Sequence, residues 1–218
     1  MSGKSLVHCA DLAKNHEGVC SLSTVAGLVL AAGAGTRYGG PKALVRADDG
    51  HLLVEHAAAT LRTGGCAPIV VVLGAKSDWV RGEARLADVS LVDNADWQSG
   101  MGSSLRVGLS ALADADVDGV AVLLVDTPDI GPEAVRRLVV AVDGPGALIT
   151  ATYGGRRGHP VIIGRDHWAG VAALATGDVG ARAYLAAHST RVRGVPCEDV
   201  ADDTDLDVPR GRVRGSGR

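Results

Sequence analysis

The chain has 218 residues, 46% of them hydrophobic and 22% charged, and its formal net charge at pH 7 is −3. This length and composition suit one domain with a substantial core and exclude a wholly disordered chain. A net negative charge gives no basic face for nucleic acid. The four cysteines are widely spaced without a CxxC pair, and no segment has the apolar run of a signal peptide or a membrane span. We therefore expect a cytoplasmic protein.

Apolar segments alternate with turn signals along one folded domain, residues 25–209. A loose extension over 1–24 and a disordered arginine- and glycine-rich tail over 210–218 flank it. The predicted strands are 25–32, 69–73, 89–92, 120–125, 147–151, 161–163 and 192–196. The predicted helices lie within 51–61, 77–86, 94–109, 133–142 and 176–185, and 153–160 is predicted to be a loop.

Strand and helix alternate in a way that is typical of a parallel sheet covered on both faces. We therefore predict an α/β fold, a single-domain three-layer α/β/α structure with a Rossmann-like, mostly parallel sheet. Such sheets bind ligands at the carboxyl ends of their strands. The loops after the first, third and fourth strands carry the unusual residues, so we expect the site there.

The first of these loops is rich in glycine and carries two cations. Four glycines lie between Gly33 and Gly40, and they allow backbone N–H groups to approach an anion closely. Arg37 can grip phosphate oxygens with its planar fork, and Lys42 adds a point charge. The loop is not a P-loop, because no GK[ST] closes it. Its GxGxxxG spacing is one residue too long for the dinucleotide fingerprint, which leaves a nicotinamide cofactor as an alternative.

The fourth strand is followed by a carboxylate, Asp126. An Asp-Thr-Pro-Asp sequence is also typical of a capped turn without a ligand. A triphosphate bound by the first loop requires a divalent cation, however, and Mg²⁺ is usually held by one or two carboxylates plus substrate phosphates. We therefore assign Asp126 to a Mg²⁺ site.

The segment Leu30–Leu44, LAAGAGTRYGGPKAL, resembles the LAAGxGxRMGxPKxL signature of nucleotidyltransferases, in the branch that contains molybdenum cofactor cytidylyltransferase. Tyr38 replaces the usual methionine. The resemblance implies the nucleotide-diphospho-sugar transferase type of fold and catalytic roles for Arg37, Lys42 and Asp126. It also implies a set of nucleotide-binding residues in this segment: Leu30, Ala31, Ala32, Gly33, Gly35, Arg37 and Lys42.

Two further motifs concern the metal. The sequence from Leu124 to Pro128 resembles the family's LxDxP, whose aspartate binds the metal, and Asp205–Pro209 resembles its DIDTP segment. The second acid of that segment helps to hold the metal in the family. The resemblance gives this role to Asp207, with Asp205 as the fallback. The alternative interpretation is that the acidic run 198–207 is only a solvated surface.

Three motifs are assigned to the substrates. The loop 94–108 resembles NPxWxxGMxxSLRxG, which meets the nucleotide base in the family; it implies nucleotide binding by Gly102 and a hydrogen bond from Ser104 to cytosine. A serine at a helix start is also often only a cap. The GHP and GDxGAR motifs imply acceptor binding by His159, Asp178 and Arg182.

Together these motifs imply a Mg²⁺-dependent enzyme that transfers CMP from CTP to the phosphate of molybdopterin cofactor, or a similar phosphorylated small molecule, and releases pyrophosphate. Cytidine is indicated because guanylyl-transferring relatives read LAGG where this chain has LAAG, and the methyl group of Ala32 leaves less room for a larger base. A molybdoenzyme maturation partner is a further expectation. Two alternatives remain: an NAD(P)H-dependent oxidoreductase of the nicotine blue oxidoreductase type, and a non-catalytic cofactor chaperone.

Overall fold

The computed structural model describes residues 23–206 and contains one seven-stranded sheet. The strands are β1 (Val25–Leu30), β2 (Ile69–Leu73), β3 (Ser90–Asp93), β4 (Gly119–Leu124), β5 (Leu148–Tyr153), β6 (Arg156–Gly164) and β7 (Arg193–Pro196). The helices are α1 (Leu53–Thr63), α2 (Ser77–Glu83), α3 (Met101–Ala111), α4 (Pro132–Val140), α5 (Trp168–Leu174) and α6 (Arg182–Ala187). None of the helices in this described part is long and apolar enough to cross a membrane.

The strand order is β3-β2-β1-β4-β6-β5-β7. Strands β3, β2, β1 and β4 are mutually parallel, and β7 is parallel to β5. Strand β6 runs antiparallel to both of its neighbours, β4 and β5. The predicted mostly parallel sheet is confirmed, and the carboxyl ends of β1 to β4 meet at one edge because Leu30 pairs with Leu124.

Side chains alternate between two apolar layers along β1, as the period of a strand requires. Val29 belongs to the core cluster that contains Leu61 of α1 and Leu138 of α4. Leu28 belongs to the other cluster, with Leu105 of α3. The sheet is therefore covered by helices on both faces, which confirms the predicted three-layer α/β/α fold.

The predicted strand 69–73 has the same bounds as β2. The prediction of a loop over 153–160 is wrong, because residues 156–160 form the first half of β6. Gly154 and Gly155 both have positive φ, and Tyr153 pairs with Arg156, so these two glycines form a two-residue hairpin turn. The expected tail over 210–218 and residues 1–22 of the expected extension lie outside the described residues.

Candidate active site

The glycine loop after β1 turns back on a single carbonyl group. The backbone N–H groups of Tyr38, Gly39 and Gly40 donate to the Gly35 carbonyl at 3.0, 2.9 and 3.1 Å. Gly35 has a φ of +58°, and a Cβ there would collide with the Gly40 carbonyl. Only glycine fits this turn, which holds the cation-bearing part of the loop over the sheet edge.

Lys42 and Asp126 form an ion pair across this edge. Lys42 follows the glycine loop, Asp126 follows β4, and the Lys42 Nζ lies 2.9 Å from the Asp126 Oδ2. Their side chains are 13% and 25% exposed, so water screens the pair only in part. The two residues meet because β1 and β4 are parallel neighbours that end side by side.

Asn94, directly after β3, is a buried residue that bonds to two serines of α3. It is 2% exposed, and its Nδ2 donates to the hydroxyl oxygens of Ser103 and Ser104 at 2.7 and 3.0 Å. The N-cap of α3 is Gly100, without a side-chain cap, so Ser104 lies inside the helix. The alternative interpretation of Ser104 as a helix cap is therefore wrong.

A cleft of about 520 Å³ opens at this edge of the sheet. Most of the site residues named from the sequence line it: Leu30, Ala32, Gly33, Gly35, Arg37, Lys42, Ser104, Asp126, Asp178 and the fallback acid Asp205. Four others are outside its lining: Ala31, Gly102, His159 and Arg182. Ala31 is 2% exposed and packs in the α1 and α4 core instead.

The acidic segment after β7 reaches the cleft. The Leu206 N–H donates to the Asp126 carbonyl at 2.8 Å, and Asp205 lines the cleft. Asp207 lies outside the described residues. Asp203 has a side chain that is 6% exposed and accepts two hydrogen bonds from Arg156. The interpretation of this run as a merely solvated surface is wrong for Asp203, because its partner lies on β6.

His159 does not line the cleft, but it lies within electrostatic reach of Asp126. It falls in a bulge of β6, where Val161 pairs with Thr150 and Gly158 pairs with Ala151. Burial lowers the pKa of His159 to about 4, and the nearby Asp126 carboxylate opposes this shift only in part. The imidazole is therefore neutral at pH 7.

This pKa predicts a pH dependence of stability for the protein without ligands. The unfolded state takes up a proton near pH 6.5 and the folded state only near pH 4, so stability is lost as the pH falls through this window. We expect the loss due to His159 to be about 1–3 kcal/mol. Urea unfolding of the wild type and of His159→Gln between pH 7 and 4.5 measures it. Equal pH dependence in the two proteins would contradict the assignment.

The segment that carries Asp178 is fixed to the start of α3. The Met101 N–H donates to Asp178 Oδ1 at 3.3 Å, and the Arg106 guanidinium donates to the Ala175 carbonyl. A Cβ at Gly102 would lie 2.6 Å from the Ala175 carbonyl carbon and oxygen. Gly102 therefore permits a close backbone approach that positions Asp178 at the cleft.

Gly102→Ala is expected to lower the free energy of unfolding by about 1–3 kcal/mol, because the added methyl group meets backbone atoms that cannot rotate away. Gly82→Ala is the matched control, since Gly82 lies in α2 and a Cβ there meets nothing within 4 Å. Alanine in a helix should leave that variant unchanged or up to about 1 kcal/mol more stable. Urea denaturation of both variants provides the comparison, and equal stabilities would show that the α3 contact is not tight.

The donor set of the cleft suits a hard divalent cation that also binds substrate phosphates. Asp126 and Asp205 supply carboxylates there. Within residues 23–206 there is no group of three or more histidine, cysteine or acidic side chains placed to hold a metal ion. Mg²⁺ is usually bound through one or two carboxylates plus phosphates, so such a cage is not required.

Tyr38 and Trp97 also line the cleft, although the sequence motifs implied no role for either side chain. A Cβ at Gly74 would lie 2.6 Å from the Trp97 Cβ, so the indole sits directly on the end of β2. Each is an aromatic residue in a glycine-bearing loop that follows a strand, and this pattern could have indicated a place in the site. Asn94 was part of a recognised motif but had no assigned role.

Two curated relatives match most of the chain. The nicotine blue oxidoreductase of Paenarthrobacter nicotinovorans is 40% identical over 199 residues, which cover 88% of this chain and 96% of that protein. The bifunctional enzyme IspD/IspF of Ruegeria sp. (strain TM1040) is 31% identical over 185 residues, which cover 81% of this chain and 47% of that enzyme.

Solved structures with the same fold include Rv0371c from Mycobacterium tuberculosis H37Rv, with a TM-score of 0.69, 27% identity and coverage of 85% of this chain and 94% of that one. A structure of Rv0371C in complex with manganese has a TM-score of 0.64, 27% identity and coverage of 85% and 92%. The nucleotidyl transferase Mth528 from Methanothermobacter thermautotroptrophicus has a TM-score of 0.70, with 23% identity over 84% of this chain and 94% of that one, which shows a shared fold.

The MobA-like NTP transferase domain matches residues 27–192, the part of the chain that holds the glycine loop, Asp126 and the α3 start. The match agrees with the resemblance that the sequence motifs indicated. Since it covers well over half of the sequence, this chain belongs to the MobA-like NTP transferase family.

Proposed function

We propose that this protein is a Mg²⁺-dependent nucleotidyltransferase that transfers CMP from CTP to the phosphate of molybdopterin cofactor or a related phosphorylated acceptor. The observation that carries the proposal is the Lys42–Asp126 pair, which stands beside the glycine loop in one cleft. A triphosphate needs cations on its oxygens and a carboxylate that holds its metal, and this pair offers both. Hydride transfer does not require a carboxylate that holds a metal ion.

In the proposed reaction an oxygen of the acceptor phosphate attacks the α-phosphorus of CTP. The bond from that phosphorus to the oxygen bridging to the β-phosphorus breaks, and pyrophosphate leaves. The attacking oxygen is already ionised, so catalysis consists of alignment and charge neutralisation without a strong base. This agrees with a neutral His159 beside the site, which we assign to acceptor binding rather than to proton transfer.

The cations and glycines of the first loop are assigned to the nucleotide. Arg37 and Lys42 neutralise the phosphates, and the backbone at Gly33 and Gly35 approaches them. Leu30, Ala31 and Ala32 complete the nucleotide-binding segment, and the Ala32 methyl group is assigned as a limit on base size. Ser104 is assigned to the base, and Gly102 permits the close backbone approach at the start of α3.

The metal is assigned to Asp126 and Asp207. Asp205 is the alternative to Asp207, and it lines the cleft. Mg²⁺ bound there supplies positive charge that offsets the charge of the triphosphate. The manganese complex of Rv0371C supports the use of a divalent cation in this fold. Asp178, Arg182 and His159 are assigned to the acceptor. Asp178 lines the cleft, and Arg182 lies within electrostatic reach of His159.

The test is to incubate the purified protein with each nucleoside triphosphate, Mg²⁺ and molybdopterin cofactor. We expect pyrophosphate release with CTP that requires both the acceptor and the metal. Release with GTP and none with CTP would reverse the base assignment. If none of the nucleoside triphosphates yields pyrophosphate, the transferase proposal is wrong.

A second candidate is an NAD(P)H-dependent oxidoreductase, favoured by the 40% identity to a protein named nicotine blue oxidoreductase. The local structure favours the first candidate. Only a three-residue 3-10 helix, Lys42–Leu44, follows the glycine loop, and α1 begins at Leu53, so the loop does not lead directly into an α-helix as it does in dinucleotide-binding folds. NADPH oxidation with a dye acceptor, unaffected by chelation of divalent cations, would establish the second candidate instead.

A further inference from the structure

The orientation of the Asn94 side-chain amide is fixed by a backbone group. The Asp96 N–H donates to Asn94 Oδ1 at 3.0 Å. A backbone N–H can only donate, so the oxygen of the amide must face it and the NH₂ group must face the other way. Both protons of that NH₂ group are then directed at Ser103 and Ser104.

Both serine hydroxyls accept a hydrogen bond from Asn94, but their own protons have different partners. The Ser103 hydroxyl lies 2.8 Å from the Gly100 carbonyl and 3.0 Å from the Asp96 carbonyl, so its proton is bonded within the loop. The Ser104 hydroxyl lines the cleft in a residue that is 4% exposed. Among residues 23–206 it accepts from Asn94 and meets no acceptor for its own proton. That proton is available to a ligand in the cleft.

We infer that Asn94 is a positioning residue that fixes the Ser104 hydroxyl as a hydrogen-bond donor toward the nucleotide base, and thereby selects cytosine over uracil. This inference rests on the proposed function. The two pyrimidines have opposite polarity at position 3, where cytosine carries a lone pair and uracil carries an N–H. The bond from Asn94 uses one of the two lone pairs of the Ser104 oxygen. If the other lone pair accepted from uracil, the Ser104 proton would lack an acceptor, whereas cytosine accepts that proton, and a buried unpaired polar group discriminates strongly.

Asn94→Asp tests the polarity directly, because aspartate has almost the shape of asparagine and lacks its protons. One carboxylate oxygen still accepts the hydrogen bond from the Asp96 N–H, and the other accepts hydrogen bonds from the hydroxyl groups of the two serines. The Ser104 proton then points away from the cleft, and its oxygen faces the base as an acceptor. The kcat/KM for CTP is expected to fall about 10–100-fold, mainly through KM, while that for UTP changes less.

Ser104→Ala removes the donor and should bring the preference for CTP over UTP close to that of Asn94→Asp. Ser103→Ala is the matched control, because the Ser103 proton is bonded to carbonyl groups of the loop. It should keep the wild-type preference. Thermal unfolding of all three variants establishes that they are folded.

The same four proteins are titrated with CTP and UTP in a calorimeter, so the result does not depend on finding the acceptor. A tighter binding of CTP by the wild type that is lost in Asn94→Asp and Ser104→Ala, and kept in Ser103→Ala, supports the inference. An unchanged preference in folded Asn94→Asp overturns it and leaves the transferase proposal intact. Failure of the wild type to bind either nucleotide overturns both.

Discussion

Asp126→Asn is expected to lower the rate of pyrophosphate release by about 10³-fold while the protein remains folded. Asparagine keeps the size of the side chain and removes the charge that, in the proposed mechanism, holds a divalent cation beside the phosphates. It also leaves the Lys42 ammonium, which now lies 2.9 Å from the carboxylate, without its anionic partner. Measurement of pyrophosphate release at saturating Mg²⁺, CTP and acceptor gives the size of the effect.

Asp166→Asn is the matched control for this variant. Asp166 is exposed and follows β6, whose end at Gly164 pairs with Gly119 at the opposite edge of the sheet. It should keep wild-type turnover. A near-normal rate in folded Asp126→Asn would remove this residue from the proposed mechanism.

The ends of the buried strands explain why much of this site could be predicted from the sequence. A continuous apolar run that stops at glycine or aspartate marks the carboxyl end of a parallel strand, and neighbouring ends must meet. Lys42 and Asp126 are separated widely in the chain, yet each follows such a run, so their meeting at one edge was predictable. The hairpin turn at Gly154 and Gly155 was equally visible as a two-glycine signal, and it was interpreted as a loop.

Contacts that depend on side-chain direction could not be predicted in the same way. Asp203 reads as one acid in an acidic run, and only the hairpin brings Arg156 to it. Asn94 reads as a polar loop residue, and its bonds to two serines depend on the turn of residues 96–100. His159 has a lowered pKa because it is buried at a bulge in β6, and no spacing in the sequence signals a bulge.

Lys42→Met is expected to lower turnover by about 10²–10³-fold and, at the same time, to tighten the binding of Mn²⁺ in the absence of nucleotide. The first effect follows from the loss of a cation that neutralises the triphosphate. The second follows from the ion pair, because Lys42 lies on an Asp126 oxygen that the proposed metal ion would use. Methionine is close to lysine in length and keeps the packing of its stem.

Opposite effects on turnover and on Mn²⁺ affinity would distinguish two roles of Lys42: neutralising the triphosphate and competing with the metal for Asp126. In the proposed mechanism nucleotide phosphates attract the Lys42 ammonium and release the carboxylate, so in the wild type Mn²⁺ should bind weakly alone and more tightly once CTP is present. In Lys42→Met the affinity for Mn²⁺ alone is expected to rise about tenfold, since removing a cation next to a carboxylate removes a competitor for the same oxygen. Electron paramagnetic resonance of free Mn²⁺ measures this without any turnover.

Lys76→Met separates this local effect from a general change in charge. Lys76 also follows a parallel strand, β2, but its ammonium lies 5.1 Å from the centre of the Trp79 ring rather than on a carboxylate of the cleft. The variant loses the same unit of charge and should bind Mn²⁺ as the wild type does. If Lys42→Met binds Mn²⁺ no better than Lys76→Met, the pair does not compete with the metal, and Asp126 must meet the cation through its other oxygen.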